Sequence, residues 1–88
     1  MRDMLLEFYG AECVHCRAMA PLVERLKKEE GIDVQQFETW HNEDHAKKML
    51  DYDKGYCGGV PFFYNTDKGT WLCGSTDYEE FKKWAQGM

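Results

Sequence analysis

Four cysteines stand in a chain of 88 residues, and two of them, Cys13 and Cys16, have two residues between them. The stretch Ala11-Glu12-Cys13-Val14-His15-Cys16 also places a histidine in the gap. Such a pair suits three chemistries: a reversible dithiol–disulfide couple, half of a metal site, or two buried thiols that react with nothing. A helix should begin near Cys13, where free N–H groups and the positive end of the helix dipole favour a thiolate, the nucleophile of disulfide exchange. Cys16 falls one turn later on the same face and should be more shielded. That arrangement suits Cys13 as the attacking thiol and Cys16 as the resolving one. His15 can donate to the Cys13 sulfur or stabilise it when protonated; otherwise it is an exposed spacer. Glu12 acts against a thiolate, so the direction of electron flow stays open.

The other two thiols are Cys57 and Cys73, with fifteen residues between them. Three readings are open for them: a second disulfide, a secondary redox pair fed by Cys13 and Cys16, or separate buried thiols. A metal reading would gather all four cysteines, with His15 as a fifth ligand. Zinc sites usually pair two short-spaced knuckles, and only one exists here, so no metal or other cofactor is expected. His41 and His45 stand four apart, as in helical metal pairs, but Asn42 between them reads as an N-cap. That leaves surface histidines near a cap as the plainer reading. Trp40, Trp71 and Trp84 read as core or groove-wall residues.

The elements that must position these residues follow from apolar periodicity. Residues 4 to 9 read as a strand buried on both faces. A helix then runs from about Cys13 to Glu30, with Met19, Leu22, Val23 and Leu26 as its stripe, Pro21 inside that stripe as a kink, and Gly31 as its stop. Ile32 to Glu38 is a second strand. Asn42 caps a second helix to about Asp53, with Ala46, Met49, Leu50 and Tyr52 inward. A glycine-rich loop, 54 to 59, leads to a third strand, Val60 to Tyr64, that starts at a proline. Asn65 to Gly69 is a hairpin turn and Thr70 to Cys73 a fourth strand. Asp77 caps a last helix with Tyr78, Phe81, Trp84 and Ala85 inward. The order β-α-β-α-β-β-α predicts an α/β domain: a mixed four-stranded sheet flanked by three helices, with the helix-linked strands parallel.

Composition narrows the function. Hydrophobic residues make up 43% and charged residues 31%, enough for one small core in a single domain over 1–88. A net charge of −5 with no basic run argues against nucleic acid and against a membrane surface. No apolar run approaches a membrane span, and no leader pattern stands at the start, so a cytoplasmic protein is expected.

With these residues in hand, the chain resembles the thioredoxin superfamily over nearly its whole length. Phe8-Tyr9-Gly10-Ala11-Glu12-Cys13-Val14-His15-Cys16-Arg17-Ala18-Met19-Ala20-Pro21 is similar to the family's aromatic strand end, its cysteine pair, the basic residue after it and the kinking proline. Gly59-Val60-Pro61 resembles the family's cis-proline loop, and Gly74 a substrate-facing turn. Glu7, six residues before Cys13, matches a buried acid below the resolving cysteine. The resemblance implies a minimal thioredoxin fold and a thiol–disulfide oxidoreductase. It implies Cys13, Cys16, His15 and Glu7 as catalytic residues, with Glu7 relaying a proton for Cys16. It also implies Gly59, Val60, Pro61, Tyr9 and Gly74 as the substrate face. The partners implied are protein disulfides and an upstream reductase or glutathione, acting on a monomer. The alternative is a non-catalytic module of the same fold that binds a metal or a protein through the same loop. The chain departs from the family at Glu12, where a tryptophan is usual, at Val14-His15, where Gly-Pro is usual, and at Gln36, where a lysine often partners the acid.

Overall fold

The computed structural model describes residues 5–87, so Met4, expected to open the first strand, and the ends of the expected domain lie outside the described residues. The elements follow the expected order: β1 (Leu5–Tyr9), α1 (Val14–Glu30), β2 (Gln35–Glu38), α2 (Glu43–Tyr52), β3 (Phe62–Asn65), β4 (Thr70–Cys73) and α3 (Tyr78–Ala85). They form one four-stranded sheet in the order β2-β1-β3-β4. β1 runs parallel to β2, as a helical crossover requires, and β3 is antiparallel to β1 and to β4.

The pleat sorts side chains between two cores. Residues directly opposite across a ladder share a face. Leu5, Glu7, Phe63 and Leu72 face α1 and α3, where Leu5 and Phe63 pack with Met19, Leu26, Phe81, Trp84 and Ala85. Leu6, Phe8 and Phe62 face α2 and pack with Met49, with Phe37, Tyr52 and Tyr64 at the margin. Phe8, Phe62, Phe63 and Phe81 are fully buried, each contributing about 1.5–3 kcal/mol by leaving water. The central strand β1 thus carries both cores, which explains its nearly continuous apolar run.

The helix ends follow their sequence signals. Asn42 Oδ1 accepts the His45 N–H, and Asp77 Oδ1 accepts the Glu80 N–H. Gly31 stops α1 in the left-handed region at φ 68°, its N–H returned to the Lys27 carbonyl. Four expectations need correction. Pro21 is exposed on the continuous α1, outside the buried stripe of Cys16, Met19 and Leu26. Leu50 is 69% exposed, because Met49 and Tyr52 take the inner stripe of α2. β2 starts at Gln35, since the parallel ladder begins only where Leu6 meets it. β3 starts at Phe62 rather than Val60, after a proline with no N–H to pair.

Asn65 joins the hairpin to the last helix. It is fully buried; its Oδ1 accepts the N–H groups of Asp67 and Lys68, and its Nδ2 donates to the Trp84 carbonyl at 3.4 Å. Asn65→Ala removes all three bonds at a fully buried position. We expect a loss of about 1–3 kcal/mol in urea denaturation, with the fold retained.

Candidate active site

β1 ends at Tyr9, and Gly10 to Glu12 turn the chain into α1. Cys13 is the N-cap of that helix, and its Sγ accepts the Cys16 N–H at 3.2 Å. The sulfur therefore occupies the place of a capping oxygen, at the positive end of the helix. Its other neighbour is the Val60 carbonyl, 3.8 Å away. Cys13 and Cys16 are both free thiols. They differ little in burial, at 6% and 4% exposed, so shielding does not separate an attacking from a resolving thiol.

Their electrostatics differ more. Burial and the adjacent Cys13 sulfur push the Cys16 thiol up to about 12, against a small opposing effect of the Gly10 N–H, 3.5 Å from its sulfur. Cys16 is thus a protonated thiol at neutral pH and needs a base before it can attack. Glu7 lies on the same face of the sheet, 1% exposed. The parallel register sets it opposite Gln36, whose Nε2 donates to Glu7 Oε1 at 2.8 Å. Burial raises the Glu7 carboxyl above its ordinary value, and the Gln36 bond offsets this only in part. A cavity of about 150 Å³ is lined by Glu7, Cys16, Tyr9, Arg17 and Gln36. The carboxyl and the thiol therefore border one shared opening.

The facing loop supplies the opposite wall. The Val60–Pro61 peptide is cis, and Pro61 is fully buried. The Pro61 carbonyl accepts the Gly74 N–H at 2.8 Å, which brings Gly74 against this loop. Gly59 is exposed just before it, whereas Tyr9 lines the cavity beside Cys16. Asp53 anchors the loop's start. Its carboxylate accepts the N–H groups of Cys57 and Gly58 at 2.9 and 2.7 Å. Burial pushes that carboxyl up, but these and further backbone donors outweigh it and hold its pKa below the usual range. Cys57 and Cys73 form a disulfide, with Cα atoms 5.4 Å apart. That bond removes two of the four thiolates a zinc site would need.

His15 is exposed, and among the described residues no hydrogen bond joins it to the Cys13 sulfur. The histidine that does meet this loop is His41, whose Nε2 lies 2.7 and 2.9 Å from the two Glu12 oxygens. That contact raises the His41 pKa, with Glu38 adding to it. Glu38 ties the same two segments through the N–H groups of Ala11, Trp40 and His41. The Trp40 indole lies flat over Gly10, where any Cβ would collide with it. His45 is turned elsewhere, its Nδ1 on the Glu38 carbonyl and its ring edge-on to Phe37. Sequence reasoning missed Asp53, Glu38 and the Glu12–His41 pair: the Glu38–Ala11 and Glu12–His41 contacts join segments far apart in the chain, and Asp53 binds N–H groups four and five residues on, a local contact outside the helix-cap and strand patterns.

A strand, a Cys-x-x-Cys helix cap and a cis-proline loop on one sheet define a thiol-redox class of fold. The thioredoxin family model matches residues 1–85, and the chain belongs to that family. The C-terminal domain of DsbD from Neisseria meningitidis, in its oxidised form, is similar at a TM-score of 0.66 and 22% identity, covering 97% of this chain and 78% of that one. The glutaredoxin grx-1 from Archaeoglobus fulgidus aligns at 0.62 and 21%, covering 92% and 84%. Mitochondrial thioredoxin 3 from Saccharomyces cerevisiae, also oxidised, aligns at 0.61 and 16%, covering 98% and 78%. These likenesses establish the minimal thioredoxin fold. No curated protein matches the chain closely enough to count as a relative. Among the described residues, no helix is long and apolar enough to cross a membrane.

Glu7 yields a pH prediction. A carboxyl whose folded pKa lies above its unfolded value contributes stability that is fully present below the unfolded pKa, near 4.5, and lost as pH rises through the raised folded value. Glu7→Gln removes the cost of a buried charge. We expect the variant to be more stable than the parent at pH 7, on the order of 1–3 kcal/mol. The gap should close as pH falls below 4.5 in parallel urea titrations.

Proposed function

We propose that this domain is a thiol–disulfide oxidoreductase that reduces or exchanges protein disulfides through Cys13 and Cys16. The observation that carries the reading is the pairing of a capped Cys13 sulfur beside the Val60 carbonyl with a protonated Cys16 thiol above a buried acid. The Cys13 thiolate attacks one sulfur of a substrate disulfide. The substrate S–S bond breaks, the departing thiolate takes a proton, and a mixed disulfide forms. Cys16 then gives its proton toward Glu7 through the cavity, attacks Cys13 Sγ, and frees the second substrate thiol. Two electrons have passed to the substrate, and the domain is left with a Cys13–Cys16 disulfide. An upstream reductase or glutathione restores the dithiol.

In this reading Val60 offers backbone hydrogen bonds to an extended substrate segment, with Gly59, Pro61 and Gly74 shaping that face. Tyr9 and Gln36 border the proton path. The Glu12–His41 pair matters for the attacking sulfur. When His41 is protonated, its charge cancels much of the Glu12 carboxylate that would oppose a thiolate at Cys13. His15 acts through solvent at most, as an exposed imidazole near the helix start.

Insulin reduction in the presence of a thiol reductant tests the proposal. Cys13→Ser should abolish turnover. Cys16→Ser should retain the first attack and accumulate a mixed disulfide that mass spectrometry detects. Full activity in Cys13→Ser would overturn the reading.

A further inference from the structure

The reaction above uses one cysteine pair and leaves the other in place. Cys57 lies in the loop between α2 and β3, and Cys73 ends β4, the edge strand of the sheet. Cys57 is half-buried and Cys73 is exposed, so the bond is open to a thiolate arriving from solvent. The β3–β4 register sets Cys73 opposite Phe62 and Trp71 opposite Tyr64, so both point to the α2 face of the edge strand. Two consecutive loop residues meet them there. Cys57 is bonded to Cys73, and Tyr56 stacks on Trp71 with centroids 4.0 Å apart and planes 11° from parallel.

The same loop ends at Val60, the residue whose carbonyl faces Cys13 Sγ. Its start is held by Asp53 and its end by the Gly74 N–H on the Pro61 carbonyl. Between these two anchors, the disulfide ties the loop covalently to β4. Opening it leaves the Asp53 bonds and the aromatic stack, so the loop stays folded but loses its covalent pin to the strand.

We propose that Cys57–Cys73 is a second redox site, reducible by a dithiol, whose state sets how firmly the Val60–Pro61 loop is held for substrate. The proposal rests on the functional reading given above. A thiolate of the dithiol attacks Cys73 Sγ, the Cys57–Cys73 bond breaks, and Cys57 leaves as a thiolate that takes a proton. The reductant's second thiol then displaces Cys73 and closes its own disulfide. Two electrons and two protons have passed to the pair. A loop ordered in advance binds an extended chain at lower entropic cost, so the oxidised state is the higher-affinity one.

Two measurements test this separately. In Cys13→Ser/Cys16→Ser only the second pair titrates. Graded dithiothreitol should reduce it while circular dichroism stays native, and amide exchange at residues 58–60 should accelerate. A bond that opens only on unfolding, or opens with no change in exchange, would overturn the proposal. In Cys57→Ser/Cys73→Ser, insulin reduction should continue with KM raised about 3- to 10-fold and kcat retained. The comparison is with the parent, its second bond verified by intact mass during the assay. An unchanged KM overturns the proposal. If the parent reduces no insulin, the functional reading fails while the exchange measurement still decides whether the bond pins the loop. If the serine variant does not fold, that measurement decides alone.

Discussion

Helix α1 begins on a sulfur atom. The Cys16 N–H donates to Cys13 Sγ, so one contact both starts the helix and places the thiol at its positive end. A capping hydroxyl would satisfy the same N–H, but it could not exchange with a disulfide. The rest of the reactive end is arranged around this contact. Gly10 lets the chain turn tightly enough for its own N–H to reach Cys16 Sγ while Trp40 covers its back. Glu38 binds the turn to the segment after β2, and the cis-proline loop sets a carbonyl against the sulfur. Because fold and chemistry share that hydrogen bond, the geometry of the thiol is as well determined as the start of the helix.

The second constraint is the pleat of β1. Alternation sends Leu5 and Glu7 to one side and Leu6 and Phe8 to the other. A carboxyl thereby lands among apolar groups, with Gln36 donating to it from the neighbouring strand. A neutral partner leaves the burial cost largely uncompensated, which holds the carboxyl above its ordinary value.

Much of this architecture was legible in the sequence, for identifiable reasons. Met19 and Leu26 repeat at helical spacing, Asn42 and Asp77 announce helix starts, and the Asn65–Gly69 turn separates two short strands. Local periodicity and local hydrogen bonding decide all of these. The cysteine pair at the helix start was legible because its two members lie one helical turn apart. The Leu50 expectation failed because one apolar residue at the margin of a stripe carries no information on which of two neighbours faces in. The strand starts at Gln35 and Phe62 depended on where a partner strand begins. The Cys57–Cys73 bond, the Glu12–His41 pair and the covering of Gly10 by Trp40 join segments far apart in the chain. They are set by tertiary distance alone.

Asp53 carries a consequence for how such a loop can change over time. Its carboxylate grips main-chain N–H groups of the residues that follow, and asks nothing of the side chains they bear. The path of the chain toward Pro61 is therefore largely independent of what stands at Lys54, which is exposed. That side chain projects from a frame that a single acid helps to keep in register. That position can be varied, by drift or by design, while the distance between Val60 and the sulfur is kept.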